Sequence, residues 1–166
     1  MSASQPRILI SGQHGQVSRE LQRQLGDLGE LHVLGRDQLD LSYPEHIREH
    51  VRTIAPDLII NAAAHTAVDQ AESEPELAFA INARAPGVFA EEAARLGIPL
   101  IHYSTDYVFD GSKDAPYTED DKPNPLGVYG RSKLGGEQAI SAVGGQHLIL
   151  RTSWVYSRHG RNFLLT

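Results

Sequence analysis

The sequence predicts an α/β fold built on a doubly wound parallel sheet. Short β-branched or leucine-rich runs alternate with longer segments of helical period, which is typical of βαβ units. The short runs are apolar almost throughout, as in strands that helices cover on both faces. A glycine-containing loop follows the first run and precedes the first helical segment, so a ligand-binding edge is expected there.

The individual elements follow from the spacing of apolar residues. Strands are predicted at residues 7–11, 31–34, 58–62, 99–104 and 147–152. Between them, apolar residues recur every three or four positions and define three helices. Their apolar stripes consist of Leu21, Leu25 and Leu28, of Ile47, Val51 and Ile54, and of Leu77, Ile81, Val88 and Leu96. Pro86 is expected to kink or interrupt the third helix, because proline lacks a backbone N–H.

Two segments have no such pattern of their own. Residues 110–125 are rich in Gly, Pro, Asp and Lys and predict an exposed loop, a kind of segment that often carries function. The chain ends at RNFLLT, residues 161–166, where a helix is expected to begin. We therefore expect residues 1–166 to be the front part of a longer protein.

The composition excludes several classes of function. Cysteine is absent, which rules out disulfides, thiolate metal sites and a cysteine nucleophile. The net charge of -6 is spread along the chain without a basic stripe, which argues against nucleic acid as a partner. No run approaches the ~20 apolar residues of a membrane span, and MSASQPR lacks the apolar centre of a signal peptide. We expect a cytoplasmic protein without a membrane partner.

The loop GQHGQVSRE, residues 12–20, has the context of a phosphate-binding turn. Gly12 would allow the tight turn, and Gly15 would let the backbone approach a pyrophosphate at the positive end of the helix dipole. Ser18 stands where such loops usually carry a third glycine. Its hydroxyl could bond back to a helix carbonyl, so the substitution is expected to be tolerated. A turn that binds nothing is the alternative.

The end of the second predicted strand reads LGRD. Arginine at this place accommodates the 2′-phosphate of NADPH, so Arg36 favours the phosphorylated cofactor. Asp37, one position later, leaves a ribose contact with NADH open. A solvated loop charge is the alternative for Arg36.

Four side chains are candidates for proton transfer or for a hydrogen bond to a substrate oxygen. Tyr129 and Lys133 lie four residues apart in VYGRSK and would share one helix face. A nearby ammonium would favour the ionised phenol, although moving a tyrosine pKa from ~10 to near 7 requires about 4 kcal/mol. Ser104 and Thr105 end the fourth predicted strand, where their hydroxyls could bond a substrate oxygen or satisfy a local turn. In NAAAHT, Ala63 and its neighbours would let a cofactor lie against the backbone, or serve only packing.

The segment HIREH matches the pattern of a zinc peptidase group. His46 and His50 flank an ordinary core stripe, and no third ligand is evident. We expect a solvated helix face and no metal site.

Taken in order, GQHGQV, NAAAHTAVDQAE, HYSTDYVFDG, PYTEDDKPNPLGVYGRSKLGGE and RTSWVY resemble the extended short-chain dehydrogenase/reductases. Within them the chain is most similar to the dTDP-4-dehydrorhamnose reductase family, over its whole length. The combination of NAAAHTAVD with STDYVF is highly specific, whereas the glycine loop and YxxxK alone are not. The resemblance implies a Rossmann-like domain for nicotinamide dinucleotide at residues 1–166, truncated before a substrate domain.

The resemblance also implies an activity. Members pass hydride from NADPH or NADH to the C4 keto group of dTDP-4-dehydro-L-rhamnose, a nucleotide sugar, in the last step of dTDP-L-rhamnose synthesis. Some members form a homodimer bridged by Mg²⁺, whose ligands would lie beyond Thr166. The fragment is expected to bind cofactor with little turnover, because most of the sugar pocket would follow residue 166.

Residue roles carry over by motif. Tyr129 would donate the proton, Lys133 would hold the nicotinamide ribose and tune Tyr129, and Thr105 would orient the keto oxygen. Asp106 and Trp154 match substrate contacts. With Gly12, Arg36 and Ala63 from the motifs above, the expected cofactor contacts are Gly15, Gln16, Val17, Asp40, Leu41, Ala64, His65, Thr66, Tyr103, Tyr129 and Lys133.

Other functions remain open on these motifs. The regulatory subunit of methionine adenosyltransferase shares much of the STDYVFDG and YGxxK region without catalysing this reaction. A nucleotide-sugar epimerase uses the same scaffold. A dehydratase is disfavoured, because Thr105 is followed by Asp106 and Tyr107 and not by an acidic pair.

Overall fold

A computed structural model describes residues 5–159 and 162, and it confirms the parallel α/β sheet. Within these residues five strands pair in the order β2-β1-β3-β4-β5, and each pair is parallel. The predicted strand bounds hold for β1 and β5 and are off by one residue at one or both ends elsewhere. The strands are β1 Arg7–Ser11, β2 Glu30–Leu34, β3 Leu58–Asn61, β4 Leu100–Thr105 and β5 His147–Thr152.

Helices connect the strands and cover the sheet. Leu21 and Leu25 of the first predicted stripe fall in α1, and the second stripe falls in α2. The long third stripe spans α4, the turn that follows it and α5. A short 3₁₀ turn, Asp106–Val108, follows β4. The α-helices are α1 Gln16–Leu25, α2 Pro44–Ile54, α3 Val68–Ser73, α4 Pro75–Phe79, α5 Ala85–Leu96 and α6 Val128–Val143.

The core lies on both faces of the central strands, as predicted for β1 and β3. Leu9 and Ile59 point to the face that α2, α5 and α6 cover, and the neighbouring Ile8 and Ile60 point to the other face. The edge strand β5 differs from the prediction, since Leu148 is 51% exposed. Among the described residues β5 pairs only with β4, so one of its sides lacks a neighbouring strand.

Leu28 does not belong to the apolar stripe of α1, contrary to the prediction. The helix ends at Leu25, with Gly26 as its C-cap, and Leu28 is 62% exposed in the turn that leads to β2. Glycine has low helix propensity and the chain must reverse before Glu30, so the helical spacing of Leu28 is coincidental.

The third helical segment is interrupted, as expected, but the interruption precedes Pro86. Residues Ala80–Arg84 form a π-helical turn between α4 and α5, in which the Ala85 N–H donates to the Ala80 carbonyl. Pro86 then lies buried in the first turn of α5, where its missing N–H costs little. The turn brings Asn82 towards α6, and a β-carbon at Gly136 of α6 would overlap the Asn82 carbonyl oxygen.

The predicted loop at residues 110–125 contains no helix or strand, and hydrogen bonds to the carboxylates of Asp110 and Asp121 order it. Asp110 accepts hydrogen bonds from Ser112, Tyr117 and Asn124, and these bonds, led by that from Asn124, hold the pKa of Asp110 well below its usual range. The Phe109 and Tyr117 rings stack with centroids 4.1 Å apart. The loop therefore has a defined path between β4 and α6.

The helix expected at RNFLLT lies, except for Asn162, outside the described residues. Across residues 5–159 and 162, no helix is both long and apolar enough to cross a membrane.

We predict that Gly136→Ala destabilises the fold while Gly26→Ala does not. Gly136 lies inside α6, and Gly26, the C-cap of α1, has right-handed helical backbone angles, so an alanine suits the backbone at both positions. Only the new methyl group at 136 meets a carbonyl oxygen of a neighbouring element. Gly136→Ala should lower the free energy of unfolding by roughly 1–3 kcal/mol. Urea titrations of the two variants, followed by circular dichroism, check this, and equal midpoints would contradict the close approach.

Candidate active site

A groove runs along the carboxyl edge of the sheet. It consists of a smaller cavity of about 320 Å³ beside β1, β2 and β3, and a larger one of about 500 Å³ beside β4 and α6. Ala64 and Thr66 line both cavities and join them. Parallel pairing places all strand ends at this edge, so the loops that follow the strands form the groove.

The predicted site residues all line this groove, although the role of each stays a prediction. The smaller cavity contains Gly12, Arg36, Asp40, Leu41, Ala63 and His65, the larger contains Gly15, Gln16, Val17, Tyr103, Thr105, Asp106, Tyr129, Lys133 and Trp154, and both contain Ala64 and Thr66.

The glycine loop has the geometry that its sequence predicts. Gly12 has φ +90°, and a β-carbon there would come within 3.1 Å of Ala63. Gly15 is the N-cap of α1, and a β-carbon there would meet only the Gly12 carbonyl at 3.4 Å. The first turn of α1 carries no acidic residue that would offset the helix dipole. The loop thus presents a positive, open backbone surface that suits a phosphate group.

Ser18 is accommodated by packing in a way that differs from the expected bond to a carbonyl. The residue is fully buried, and its hydroxyl accepts a hydrogen bond of 3.3 Å from Gln22 Nε2. The same amide donates to the Gln13 carbonyl at 3.0 Å. The serine at the position of the third glycine therefore bonds Gln22 within α1, and the Gln22 amide joins the helix to the loop.

Several polar residues line the smaller cavity. Arg36 is exposed and lines the cavity, whereas Asp37 does not. Hydrogen bonds from Ser42 lower the pKa of Asp40, which stays ionised. The His65 Nδ1 atom is buried without a hydrogen-bond partner among the described residues. The smaller cavity thus offers the Arg36 guanidinium and the Asp40 carboxylate to a polar ligand.

In the larger cavity, Thr105, Tyr129 and Lys133 converge as predicted. Tyr129 lies in the first turn of α6 and Lys133 one turn later, and both line the cavity with Thr105 of β4. The Lys133 ammonium donates to the Tyr103 carbonyl at 2.6 Å. Burial lowers the pKa of Lys133 to about 8.

The expectation that Lys133 lowers the pKa of Tyr129 is wrong for this arrangement. Burial raises the pKa of Tyr129, a hydrogen bond with Thr105 lowers it by less, and the nearby Asp106 carboxylate raises it further. Lys133 points its amine at the backbone of β4 instead. Tyr129 is therefore held as a neutral phenol, the form that can donate a proton.

Ser104 does not offer its hydroxyl to a ligand, although it lines the cavity. Its hydroxyl donates to Glu137 Oε1 at 2.5 Å, and Glu137 also pairs with Arg151 at 2.6 Å. This buried cluster fixes β4, β5 and α6 to one another. Of the two strand-end hydroxyls considered from the sequence, Thr105 is the one beside Tyr129.

The open side of the larger cavity carries exposed aromatic and acidic groups. Trp154 is 75% exposed and has φ +51°, a conformation that costs a residue with a side chain roughly 1–3 kcal/mol. Asp106 accepts hydrogen bonds from Thr105 at 3.1 Å and from Ser153 at 2.6 Å. Strain of this kind persists where function requires it, so Trp154 is a candidate for ligand contact.

Sequence reasoning missed the polar residues beneath the site. Asn61 and His102 are fully buried in strands, and His102 Nε2 lies 3.5 Å from Lys133 Nζ. Burial, followed by the charge of Lys133, lowers the pKa of His102 well below its usual value, so the ring is neutral. The sequence did contain a signal for them, because burying Asn or His inside an apolar strand costs free energy unless the side chain is hydrogen-bonded.

The histidines of HIREH make local contacts on α2. His50 Nδ1 bonds the His46 carbonyl, and His46 packs against Tyr43. Among the described residues, no three His, Asp or Glu side chains are placed to hold a metal ion.

Comparison with known proteins places the chain in a family. The model of the RmlD substrate binding domain matches residues 6–166. The dTDP-4-dehydrorhamnose reductase of Escherichia coli K12 is 53% identical over 163 residues, which are 96% of this chain and 54% of that protein. The same-named protein of Sinorhizobium fredii is 50% identical over 158 residues, 95% of this chain and 53% of that protein. The chain spans about half the length of these curated relatives.

Solved structures agree in fold. A dTDP-4-dehydrorhamnose reductase of Bacillus anthracis in complex with NADP superposes with a TM-score of 0.92 at 37% identity, over 96% of this chain and 57% of that one. A UDP-glucose 4-epimerase of Thermus thermophilus with NAD has a TM-score of 0.82 at 22% identity, over 93% and 57%. The second likeness concerns the fold alone.

We predict that Lys133 makes stability rise between pH 8 and pH 10. Its pKa is about 8 when folded and 10.5 in the reference state, so the unfolded chain binds more protons in this window. Relative to Lys133→Met, the free energy of unfolding should increase by about 2 kcal/mol from pH 8 to pH 10. Urea unfolding of both proteins at each pH measures this, and a flat difference would show that Lys133 titrates normally.

Proposed function

The chain belongs to the family of the RmlD substrate binding domain, and on that premise we propose that it forms the dinucleotide-binding half of a reductase. The reaction is reduction of the C4 keto group of dTDP-4-dehydro-L-rhamnose with NADPH or NADH. The observation that carries the proposal is the convergence of Thr105, Tyr129 and Lys133 on one cavity that is continuous with the glycine loop. The names of the relatives in the comparisons support the choice of sugar.

The groove suits an extended dinucleotide. The amino end of α1, with Gly12 and Gly15, would hold the pyrophosphate, and the smaller cavity with Arg36 and His65 would hold the adenosine end. The larger cavity would then receive the nicotinamide beside Lys133 and Tyr129. When bound, the reduced nicotinamide supplies the hydride.

The chain's own residues handle the proton and the orientation of the substrate. Tyr129, kept neutral by burial, would donate its proton to the keto oxygen as the alcohol forms. Thr105 lies beside the phenol and would orient that oxygen through its hydroxyl. Lys133, which the Tyr103 carbonyl holds in place, would bind the ribose hydroxyls of the nicotinamide end through hydrogen bonds.

The sugar nucleotide would lie on the open side of the larger cavity. Asp106 and Trp154 are the candidates for contact there, because both line the cavity and are exposed. We expect most of the remaining pocket to come from the part of the relatives that this chain does not span. The chain by itself should therefore bind cofactor with little turnover.

We predict that Tyr129→Phe abolishes reduction without loss of cofactor. In the gene product that carries this chain, dTDP-4-dehydro-L-rhamnose should drive NADPH oxidation, and the variant should lower kcat at least ~100-fold because proton donation is lost. The cofactor Kd, measured by calorimetry, should change by less than about twofold, since the ring remains.

Other outcomes identify other functions. Interconversion of sugars with no net use of reduced cofactor would indicate an epimerase. Cofactor binding without turnover in that gene product would indicate a regulatory subunit. A Tyr129→Phe protein with an unchanged rate would refute the proton-donor role.

We predict that the chain binds NADPH and that Arg36→Ala weakens NADPH more than NADH. A guanidinium bonded to the 2′-phosphate contributes about 1.5–3 kcal/mol, so the NADPH Kd should rise ~10-fold or more. The NADH Kd should stay within about twofold. Arg84→Ala, an exposed arginine outside the groove, is the matched control. Equal losses for both cofactors would contradict a phosphate role, and no heat with either would contradict the proposed groove.

A further inference from the structure

A row of buried polar side chains crosses the sheet beneath the site. Ser11, Asn61 and His102 occupy paired positions of β1, β3 and β4, since the register aligns Ser11 with Asn61 and Asn61 with His102. Their exposed fractions are 1%, 0% and 0%. Side chains alternate along a strand, so the row faces α5 and α6, as Leu9 does two residues before Ser11. Lys133 of α6 lies at the end of the row.

The hydrogen bonds along the row run in one direction. The Ala63 N–H donates to Ser11 Oγ at 3.2 Å, and the Ser11 hydroxyl donates to Asn61 Oδ1 at 2.6 Å. The Asn61 amide therefore turns its NH₂ group towards His102 Nδ1, at 3.1 Å. Because Nδ1 must accept this bond, the neutral imidazole carries its proton on Nε2.

We propose that His102 is a positioning residue for Lys133, fixed by Ser11 and Asn61 as the tautomer that presents its Nε2–H to the lysine amine. Nε2 lies 3.5 Å from Nζ, and the Tyr103 carbonyl holds Nζ on another side at 2.6 Å. The placement of Lys133 follows from the structure alone. Its importance for cofactor rests on the function proposed above.

The tautomer matters because an ammonium and an amine differ as acceptors. A neutral amine has a lone pair that can accept from Nε2–H, whereas an ammonium has none, so the row favours the neutral form of Lys133. Burial acts in the same direction, and the carboxylate of Glu137, one turn along α6, acts against it. The Tyr103 carbonyl accepts from either form, and Tyr129 on the same helix is a neutral phenol. The row thereby takes part in setting the pH at which Lys133 changes charge.

Nitrogen NMR of the protein labelled with [¹⁵N]histidine tests the tautomer directly. The His102 signals are those lost in a His102→Gln protein. We expect Nε2 of His102 to be protonated and Nδ1 to be unprotonated from pH 8 to pH 10, where Lys133 becomes a neutral amine that can accept from Nε2–H. A proton on Nδ1 in the wild-type protein would overturn the proposal without any variant having to fold.

Ser11→Ala tests whether Ser11, at one end of the row, controls the tautomer of His102 at the other end. Without the serine donor the Asn61 amide can rotate, so His102 should populate the Nδ1–H form and accept from the Lys133 ammonium. The pKa of Lys133, followed by ¹³Cε NMR, should rise by about one unit, the size of one neutral hydrogen bond. Assignment is simple, because the chain carries lysine only at 113, 122 and 133.

Ser18→Ala is the matched control, since it removes a buried hydroxyl of α1 that lies outside the row. It should leave both the His102 tautomer and the Lys133 pKa unchanged. The same values in Ser11→Ala as in wild type would overturn the proposal. None of these measurements needs cofactor or turnover, so a chain that fails to bind NADPH would refute the proposed function and leave this result standing.

Discussion

Parallel pairing in one register is the constraint on which the site depends. It brings the carboxyl ends of β1, β3 and β4 to the same edge, so the glycine loop, NAAAHT and STDY leave the sheet side by side. The same register aligns Ser11, Asn61 and His102 in one row beneath the groove. A slip of one residue would turn that row to the opposite face and separate it from Lys133.

Close contact between helices and loops then sets the positions of the reactive groups. A β-carbon at Gly130 would overlap the Tyr107 carbonyl, and one at Gly136 would overlap that of Asn82. These two glycines let α6 lie close enough for its first turns to reach Thr105 and the Tyr103 carbonyl. Asn82 also holds the backbone of His65 with bonds of 2.8 and 3.0 Å. One helix contact therefore shapes both cavities.

Burial outweighs the nearest charge in deciding protonation at this site. The spacing of Tyr129 and Lys133 suggested that an ammonium would ionise the phenol. In the folded chain burial raises the pKa of Tyr129 and lowers that of Lys133 to about 8, so both tend towards their neutral forms. Burial of a charged group shifts its pKa by up to a few units towards the neutral form. Because the Lys133 amine is directed at the Tyr103 carbonyl, it does not offset the effect of burial on the pKa of Tyr129.

The amino-acid sequence by itself determined the elements and their local chemistry: the strand bounds to within a residue, the turn at Gly12, and the shared face of Tyr129 and Lys133. These depend on neighbours a few positions apart. The tertiary structure alone decided that Leu28 is exposed, that the Ser104 hydroxyl bonds Glu137, and that His102 lies beside Lys133. Those contacts join residues 31 and 33 positions apart, and they arise from strand register and helix docking. Burial has the same non-local origin, which is why residue spacing could not predict the two pKa values.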